Sequence, residues 1–259
     1  MNATPDIPDR ECRRGVLAFG DSITNGGGEL QWGVALQSWA LWVARASGLP
    51  FTSYAFDGAG ASDVVHEQIR AFERDDQGRD ARYDICCIYI GVNDVRAFDW
   101  DRPSFDRDFE TALGRLVERA DRTLALTAPR DLGRPRAGAK VAELNETIER
   151  VAAANGALIV DLSDFGARNH VMVDHVHPTA FGQIAIAERA LKILREDGLP
   201  TKTPPATLIR YDPSRWQRLR SDATYVYRHA KTSARVTAIR LLASRRPRSP
   251  RGEGGPTRP

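Results

Sequence analysis

Short apolar runs alternate along the chain with longer segments in which apolar residues recur at helical spacing. The short runs, which predict β-strands, are residues 16–19, 51–55, 84–90, 122–127 and 158–161. The run from Ile85 to Ile90 is continuously apolar, which is typical of a strand covered on both faces of a parallel sheet. The segments that predict helices are residues 32–47, 62–72, 105–120, 139–154 and 179–195. A strand followed by a helix, five times over, predicts a three-layer α/β fold with a parallel sheet.

Capping and stop signals set several of these boundaries. Gly48, followed by Pro50, ends the first predicted helix, and Asn155-Gly156 ends the fourth. Ser62 is a candidate N-cap for the second helix. In folds of this class ligands bind beyond the carboxyl ends of the strands, so we expect the chemistry there.

Charge is distributed unevenly along the chain. The net charge is +3, but residues 200–259 contain 14 Lys and Arg against 3 Asp and Glu, a net of +11, which leaves −8 for residues 1–199. We therefore divide the chain into a polar tail (1–11), an α/β domain (12–198) and a basic C-terminal extension (199–259). Residues 211–243 of the extension predict one or two basic helices, and the Arg-, Pro- and Gly-rich end from about residue 245 is typical of a disordered chain.

Composition excludes several classes of protein. Apolar residues make up 42% of the chain and charged residues 27%, as in soluble globular proteins. There is no apolar run long enough to predict a transmembrane helix and no leader-like N-terminal segment, so we expect a cytoplasmic location. Three cysteines, Cys12, Cys86 and Cys87, form neither a disulfide framework nor a zinc-binding motif.

A nucleophile and a base are present at two distant positions. Ser22 follows the first predicted strand, after Gly20, which permits a tight turn. A serine becomes a nucleophile only when a neighbouring base takes its proton. Asp174 and His177 precede the last predicted helix, and a spacing of three allows the carboxylate to fold back onto the imidazole. The three residues predict the orienter, base and nucleophile of acyl transfer.

Ester hydrolysis also requires hydrogen-bond donors for the oxyanion, and two other strand ends offer them. Gly58 and Gly60 follow the second strand, and Asn93 follows the third. We expect Asp21 to support the turn at the nucleophile and Asp94 to buttress the loop beside Asn93.

Four motifs occur in the same order as the four blocks of the SGNH/GDSL hydrolase superfamily, across residues 15–195: Gly20-Asp21-Ser22, a glycine after the second strand, Gly91-x-Asn93-Asp94 and Asp174-x-x-His177-Pro178. The chain therefore resembles this superfamily. The resemblance implies a flavodoxin-like α/β/α sandwich with a central five-stranded parallel sheet. It also implies Ser22 as nucleophile and His177 as base, with no cofactor and no metal.

The resemblance further implies an oxyanion hole built from the Ser22 amide, the Gly60 amide and the Asn93 side chain. The family often has an asparagine and a glycine ahead of the key glycine, where this chain has Ala55 and Asp57, so Gly58 is a rival to Gly60.

One histidine competes for the role of base. His175 lies two residues before His177, but the family motif favours the histidine that directly precedes proline.

The function predicted is that of a serine esterase or acylhydrolase acting on a small-molecule, lipid or sugar ester. An acyltransferase that passes the acyl group to a sugar or other alcohol, or a non-catalytic binding module, is the alternative. Residues 25–31 and 94–103 are the expected specificity loops, with residues 29–32 facing the substrate. The basic extension either makes weak membrane-surface contact or forms a solvated helix packed loosely on the domain, and no motif predicts a nucleic-acid partner.

Overall fold

A computed structural model describes residues 15–31, 34–75, 82–167, 169–209 and 214–244. The predicted polar tail (1–11) and the predicted disordered end, from about residue 245, lie outside the described residues.

Five parallel strands form one sheet in the order β2-β1-β3-β4-β5. They are β1 (Val16–Gly20), β2 (Phe51–Ser53), β3 (Tyr83–Tyr89), β4 (Ala120–Leu126) and β5 (Leu158–Val160). Gly20 at the end of β1 pairs in register with Tyr89 at the end of β3, so the loops after these strands emerge side by side. This strand order is that of flavodoxin-like folds, and it confirms the predicted five-stranded parallel sheet.

Helices cover both faces of the sheet. They are α1 (Trp39–Ser47), α2 (Ala61–Asp63), a π-helical segment (Val64–Gln68), α3 (Ile69–Arg74), α4 (Val92–Arg96), α5 (Arg102–Val117), α6 (Lys140–Ala154), α7 (Ala180–Glu196) and α8 (Arg215–Ser244). A 3₁₀ turn, Pro205–Thr207, precedes α8. Helices α1 and α7 pack against each other, as do α5 and α6. Right-handed crossovers place these two pairs on opposite faces, which gives the predicted α/β/α sandwich.

The central strand is covered on both faces, as its apolar run predicts. Ile85, Cys86, Cys87 and Ile88 are all fully buried. Burial raises the pKa of both thiols well above the ordinary range, so the two cysteines stay protonated and pack as small apolar side chains.

The first helix begins later than the sequence predicts. The predicted helix 32–47 is wrong over residues 34–38, because α1 begins at Trp39, where the Ser38 hydroxyl caps the helix by accepting the Ala40 amide at 3.2 Å. Residues 32 and 33 lie outside the described residues. Upstream, the Val34 amide donates to the carbonyl of Gln31 at 2.9 Å, and residues 34–38 form no helix. The apolar residues there follow helical spacing but belong to a loop.

Two other helix starts differ from their predictions. The second helix is capped at Gly60 and not at Ser62, because the Asp63 carboxylate accepts the Gly60 amide at 2.7 Å. The third, predicted at residues 105–120, runs from Arg102 to Val117, with a proline in its first turn, where the missing amide proton costs nothing.

Candidate active site

Three side chains form an unbroken hydrogen-bonded row at the carboxyl end of the sheet. The Nδ1–H of His177 donates to Asp174 Oδ2 at 2.7 Å. This tautomer leaves Nε2 to accept the hydroxyl of Ser22 at 3.0 Å. Ser22 and His177 are 155 positions apart in the sequence, so only the fold brings them together.

The loop that carries the base holds the Asp174 carboxylate at both oxygens. While Oδ2 accepts from the imidazole, Oδ1 accepts the amides of Val176 at 2.9 Å and of His177 at 3.1 Å. Partial burial alone would raise the pKa of Asp174, but these hydrogen bonds outweigh it and lower the pKa. The hydrogen bond that His177 donates to Asp174 in turn raises the pKa of His177, against the opposing effect of burial.

The predicted nucleophile, Ser22, lies on a turn that requires glycine two residues before it. Gly20 has φ +146°, and a Cβ there would lie 2.4 Å from the carbonyl oxygen of Tyr89. The side chain of Gln68 fixes the same residue, accepting the Gly20 amide at 3.0 Å and donating to its carbonyl at 2.7 Å. Ser22 therefore projects from a strand end that is fixed in position.

Asp21 supports this turn from inside the protein, as predicted. Its Oδ1 accepts the Ile23 amide at 2.9 Å, and the side chain is fully buried. Burial raises the pKa of Asp21 to about 7, nearby Asp94 adds to the rise, and His177 opposes it.

The two predicted oxyanion donors lie next to each other beyond β2 and β3. Asn93, in the first turn of α4, donates one amide hydrogen to the carbonyl of Ala59 at 2.9 Å, and its second amide hydrogen remains for a ligand. The Gly60 amide donates to Asp63, so that carboxylate must yield before the amide can serve an oxyanion. Asp94 buttresses the loop as expected, accepting the Ala61 amide at 3.0 Å.

The rival glycine has a different environment. Gly58 is exposed with φ +83°, and a Cβ there would meet nothing within 4 Å. Only its backbone conformation favours glycine, whereas a Cβ at Gly60 would lie 2.9 Å from the Asp94 carboxylate.

The rival histidine is engaged elsewhere. His175 donates from Nδ1 to Asp131 at 3.0 Å, and its Nε2 accepts from Arg134 at 2.7 Å. With both ring nitrogens occupied, His175 has no free nitrogen with which to take a proton from Ser22. Burial and the neighbouring guanidinium lower the pKa of His175.

Sequence reasoning missed a buried glutamine that joins the segments of the site. Gln183, fully buried in α7, donates from Nε2 to the carbonyls of Ile23 at 2.9 Å and Gly27 at 3.0 Å. Its Oε1 accepts the amide of Trp39 at 2.8 Å. The available signal was a polar residue within the apolar face of α7, where a buried amide needs several partners.

A cavity of about 390 Å³ lies beside the catalytic loop, between α8 and the segments 29–31 and 169–173. Arg228 of α8 forms an ion pair with Glu29. The rings of His229 and His175 meet edge to face, with centroids 6.4 Å apart. Glu29, Leu30 and Gln31, which we expected to face the substrate, line this cavity, whereas Trp32 lies outside the described residues.

Within the ranges that the structure describes, no cluster of three or more His, Cys, Asp or Glu side chains is arranged to hold a metal ion. No helix in those ranges has the length and apolar character needed to span a bilayer.

Comparisons with known proteins agree with this fold. The family model described as GDSL-like lipase/acylhydrolase matches residues 18–185. A comparison with curated proteins found no match. Among solved structures, an acetylxylan esterase from Geobacillus stearothermophilus is 19% identical with a TM-score of 0.54, covering 72% of this chain and 95% of that one. A lipase/acylhydrolase from Enterococcus faecalis is also 19% identical, with a TM-score of 0.56 and coverages of 71% and 96%. An α/β hydrolase enzyme from the metagenome of Lake Arreo, Spain, is 21% identical, with a TM-score of 0.55 and coverages of 70% and 94%.

Proposed function

Because the chain belongs to the GDSL-like lipase/acylhydrolase family, whose members hydrolyse esters, we propose that it cleaves carboxylic esters through an acyl-enzyme formed on Ser22. The observation that carries this proposal is the row from Asp174 through His177 to Ser22, with hydrogen bonds of 2.7 and 3.0 Å. Each member has the partner that its role requires, since the base has a fixed tautomer and the nucleophile faces the free ring nitrogen.

The reaction takes place in two steps that use the same groups. As the Ser22 oxygen attacks the ester carbonyl carbon, His177 Nε2 takes the hydroxyl proton, and a tetrahedral oxyanion forms. When the carbon–oxygen bond to the alcohol breaks, the imidazolium returns that proton to the leaving oxygen. Water then attacks the acyl-enzyme, giving a proton to His177, and the acid leaves as the proton passes back to Ser22. Asp174 stabilises the imidazolium in both steps without itself being protonated.

We assign the oxyanion to three donors, namely the Ser22 amide, the second amide hydrogen of Asn93 and the Gly60 amide. The Gly60 amide joins them when the developing oxyanion displaces the Asp63 carboxylate that accepts it in the free enzyme. Donors aimed at a developing charge are worth more than donors to the neutral substrate, because they act in the transition state.

Replacing Asn93 by alanine removes one oxyanion donor and is expected to lower kcat by about 10²–10³. Asn93 also holds Ala59 at 2.9 Å, so thermal unfolding of the variant should be recorded beside its kinetics. Glu67→Ala is a suitable control, since Glu67 is an exposed residue of the neighbouring helical segment. An Asn93→Ala enzyme that folds normally and keeps its kcat would remove this residue from the oxyanion hole.

The pH dependence of kcat/KM should report the base. His177 must be neutral to accept the serine proton, so activity rises with pH through its pKa. The hydrogen bond that His177 donates to Asp174 raises that pKa, so the acid limb should lie above the ordinary histidine value of about 6.5. Asp174→Asn removes the carboxylate and should move the limb to lower pH while lowering the plateau by up to about 10⁴. A limb that stays in place would show that another group titrates.

A fluorophosphonate probe followed by peptide mass spectrometry tests the covalent step directly. We expect labelling of the folded enzyme on Ser22, and none after Ser22→Ala. Absence of labelling in a folded, unmodified enzyme would favour the non-catalytic binding module. Adding a polyol acceptor separates hydrolysis from acyl transfer, since a transferase would form a new ester at the expense of free acid.

We further propose that the substrates are small-molecule, lipid or sugar esters chosen by the segments 25–31 and 94–103, and that the basic C-terminal extension makes weak contact with membrane surfaces. The second segment was predicted as a loop, but it includes the end of α4 and the start of α5. A series of p-nitrophenyl esters from acetate to palmitate would measure the acyl preference, with Ser22→Ala as the blank.

A further inference from the structure

Helix α8 is long, and the domain buries few of its described side chains. Its 30 residues span about 45 Å at 1.5 Å per residue. Among the described side chains from Ser214 to Thr237, only Tyr225 and His229 are partly buried, and they lie one turn apart on the side that faces the catalytic loop. The matched family model ends at residue 185, so α8 lies beyond it.

The outward side of α8 carries an apolar stripe. Trp216, Leu219, Val226 and Tyr227 are exposed by 81%, 59%, 60% and 66%, respectively. At 3.6 residues per turn, these four side chains and the two alanines 223 and 230 fall within an arc of about 100°. That arc lies well away from Tyr225, which faces the domain. The structure therefore presents four large apolar side chains to water on one face of one helix, which marks an interaction surface.

Cations border this apolar stripe. Arg215 lies on one side of it, and Arg220, Lys231 and Arg235 lie on the other, by the same helical geometry. Residues 214–244 contain seven Lys and Arg and one Asp, a net charge of +6, while residues 1–199 carry −8. The helix is therefore basic on an otherwise acidic protein.

We propose that the apolar stripe of α8 is a docking surface for a bilayer that contains anionic lipids. A helix with a 100°-wide apolar face between basic residues lies in the interfacial plane, with the apolar side chains among the acyl chains and the cations at the headgroups. Tryptophan and tyrosine favour that depth. A nucleic acid would satisfy the cations but leave the apolar stripe in water, so the combination selects a lipid surface.

Docking at this surface would hold the active site beside the bilayer. Arg228 contacts Glu29, and His229 contacts His175, which lies two residues before the base. A helix bound to lipid is therefore attached to the rim of the catalytic loop. The inference rests on the proposed function only for the purpose of docking, which would bring the esterase site to its substrate. The binding itself requires no catalysis.

Vesicle flotation of the full chain tests the docking surface. We expect binding to vesicles of phosphatidylcholine with phosphatidylserine, little binding to phosphatidylcholine alone, and loss of binding as salt is raised. The charge-reversed pair Lys231→Glu with Arg235→Glu, two exposed cations beside the stripe that do not line the cavity, should bind at least about tenfold more weakly. The matched pair Arg70→Glu with Arg74→Glu makes the same change of net charge on an exposed helix of the domain and should bind like the unmodified protein.

The apolar part of the surface is tested separately by Trp216→Ser with Leu219→Ser, which should also weaken binding at least about tenfold. All these variants should hydrolyse a soluble short-chain ester at the unmodified rate, which shows that the domain is folded. Equal binding to neutral and anionic vesicles, no binding to either, or equal loss in the Arg70 and Arg74 control would overturn the proposal. So would binding to a single-stranded polynucleotide in place of vesicles, or self-association that the serine variants abolish. A protein that floats with anionic vesicles but hydrolyses no ester would overturn the proposed function alone.

Discussion

Ser22→Ala is expected to lower kcat by about 10⁴–10⁶ while leaving the protein folded. In the proposed mechanism the substitution removes the oxygen that bonds to the substrate carbon, and among the described residues no other hydroxyl is hydrogen-bonded to the His177 ring. The change is small in volume at a partly buried turn, so the melting temperature should move little. The measurement is the initial rate of p-nitrophenyl acetate hydrolysis, with far-ultraviolet circular dichroism as the check on folding.

Ser62→Ala is the matched control for the nucleophile. Ser62 is exposed in α2 and belongs to the same rim of the sheet, so its loss should leave kcat unchanged. A Ser22→Ala protein with the unmodified rate would refute the assignment of the nucleophile, and with it the acyl-enzyme mechanism.

His177→Ala should lower kcat about as much as loss of the nucleophile, because a serine without its base is not activated. The stronger expectation concerns the double variant. The proposed mechanism makes Ser22 and His177 one unit across a 3.0 Å hydrogen bond, so removing both should cost no more than removing either one. The residual rate of all three variants then measures what the oxyanion donors and substrate binding contribute alone.

His170→Ala is a control for the loss of an imidazole. His170 stacks on Phe165 at 5.6 Å between ring centroids, away from the catalytic row, so the variant should keep its kcat. If the losses in Ser22→Ala and His177→Ala multiply in the double variant, the two residues act independently and the proposed row is not the catalytic unit.

The sheet and the order of the catalytic segments could be predicted because they depend on local signals. The continuously apolar run from Ile85 to Ile90 predicts a strand buried on both faces, because a parallel sheet is covered on both sides. Strand β3 has that environment. The position of Ser22 follows from a strand end and a required glycine. The position of His177 follows from a histidine before a proline that opens a helix.

The start of α1 and the burial of two glutamines could not be predicted, because they depend on contacts between distant parts of the chain. Val34 and Leu36 follow helical spacing, yet α1 begins only at Trp39, because Ser38 caps the helix there. The amide of Trp39, the first of the helix, donates to Gln183, which lies in α7, 144 positions later in the sequence. The polar residues Gln68 and Gln183 occur in helical segments, where a polar side chain is ordinarily expected to face solvent. Each is buried against the loops of the active site, and only the tertiary arrangement shows that.

The hydrogen bonds of Gln183 to the segment after Ser22 have a consequence for folding during synthesis. The strand and turn that carry Ser22 leave the ribosome first, whereas the base and the glutamine that holds its helix against that turn come more than 150 residues later. In the proposed mechanism, a nascent chain that has completed only its first three strands therefore contains Ser22 but not the base that activates it. Ester hydrolysis is then expected to begin only when α7 has docked. The time at which activity appears during synthesis or refolding therefore measures when the whole domain has folded.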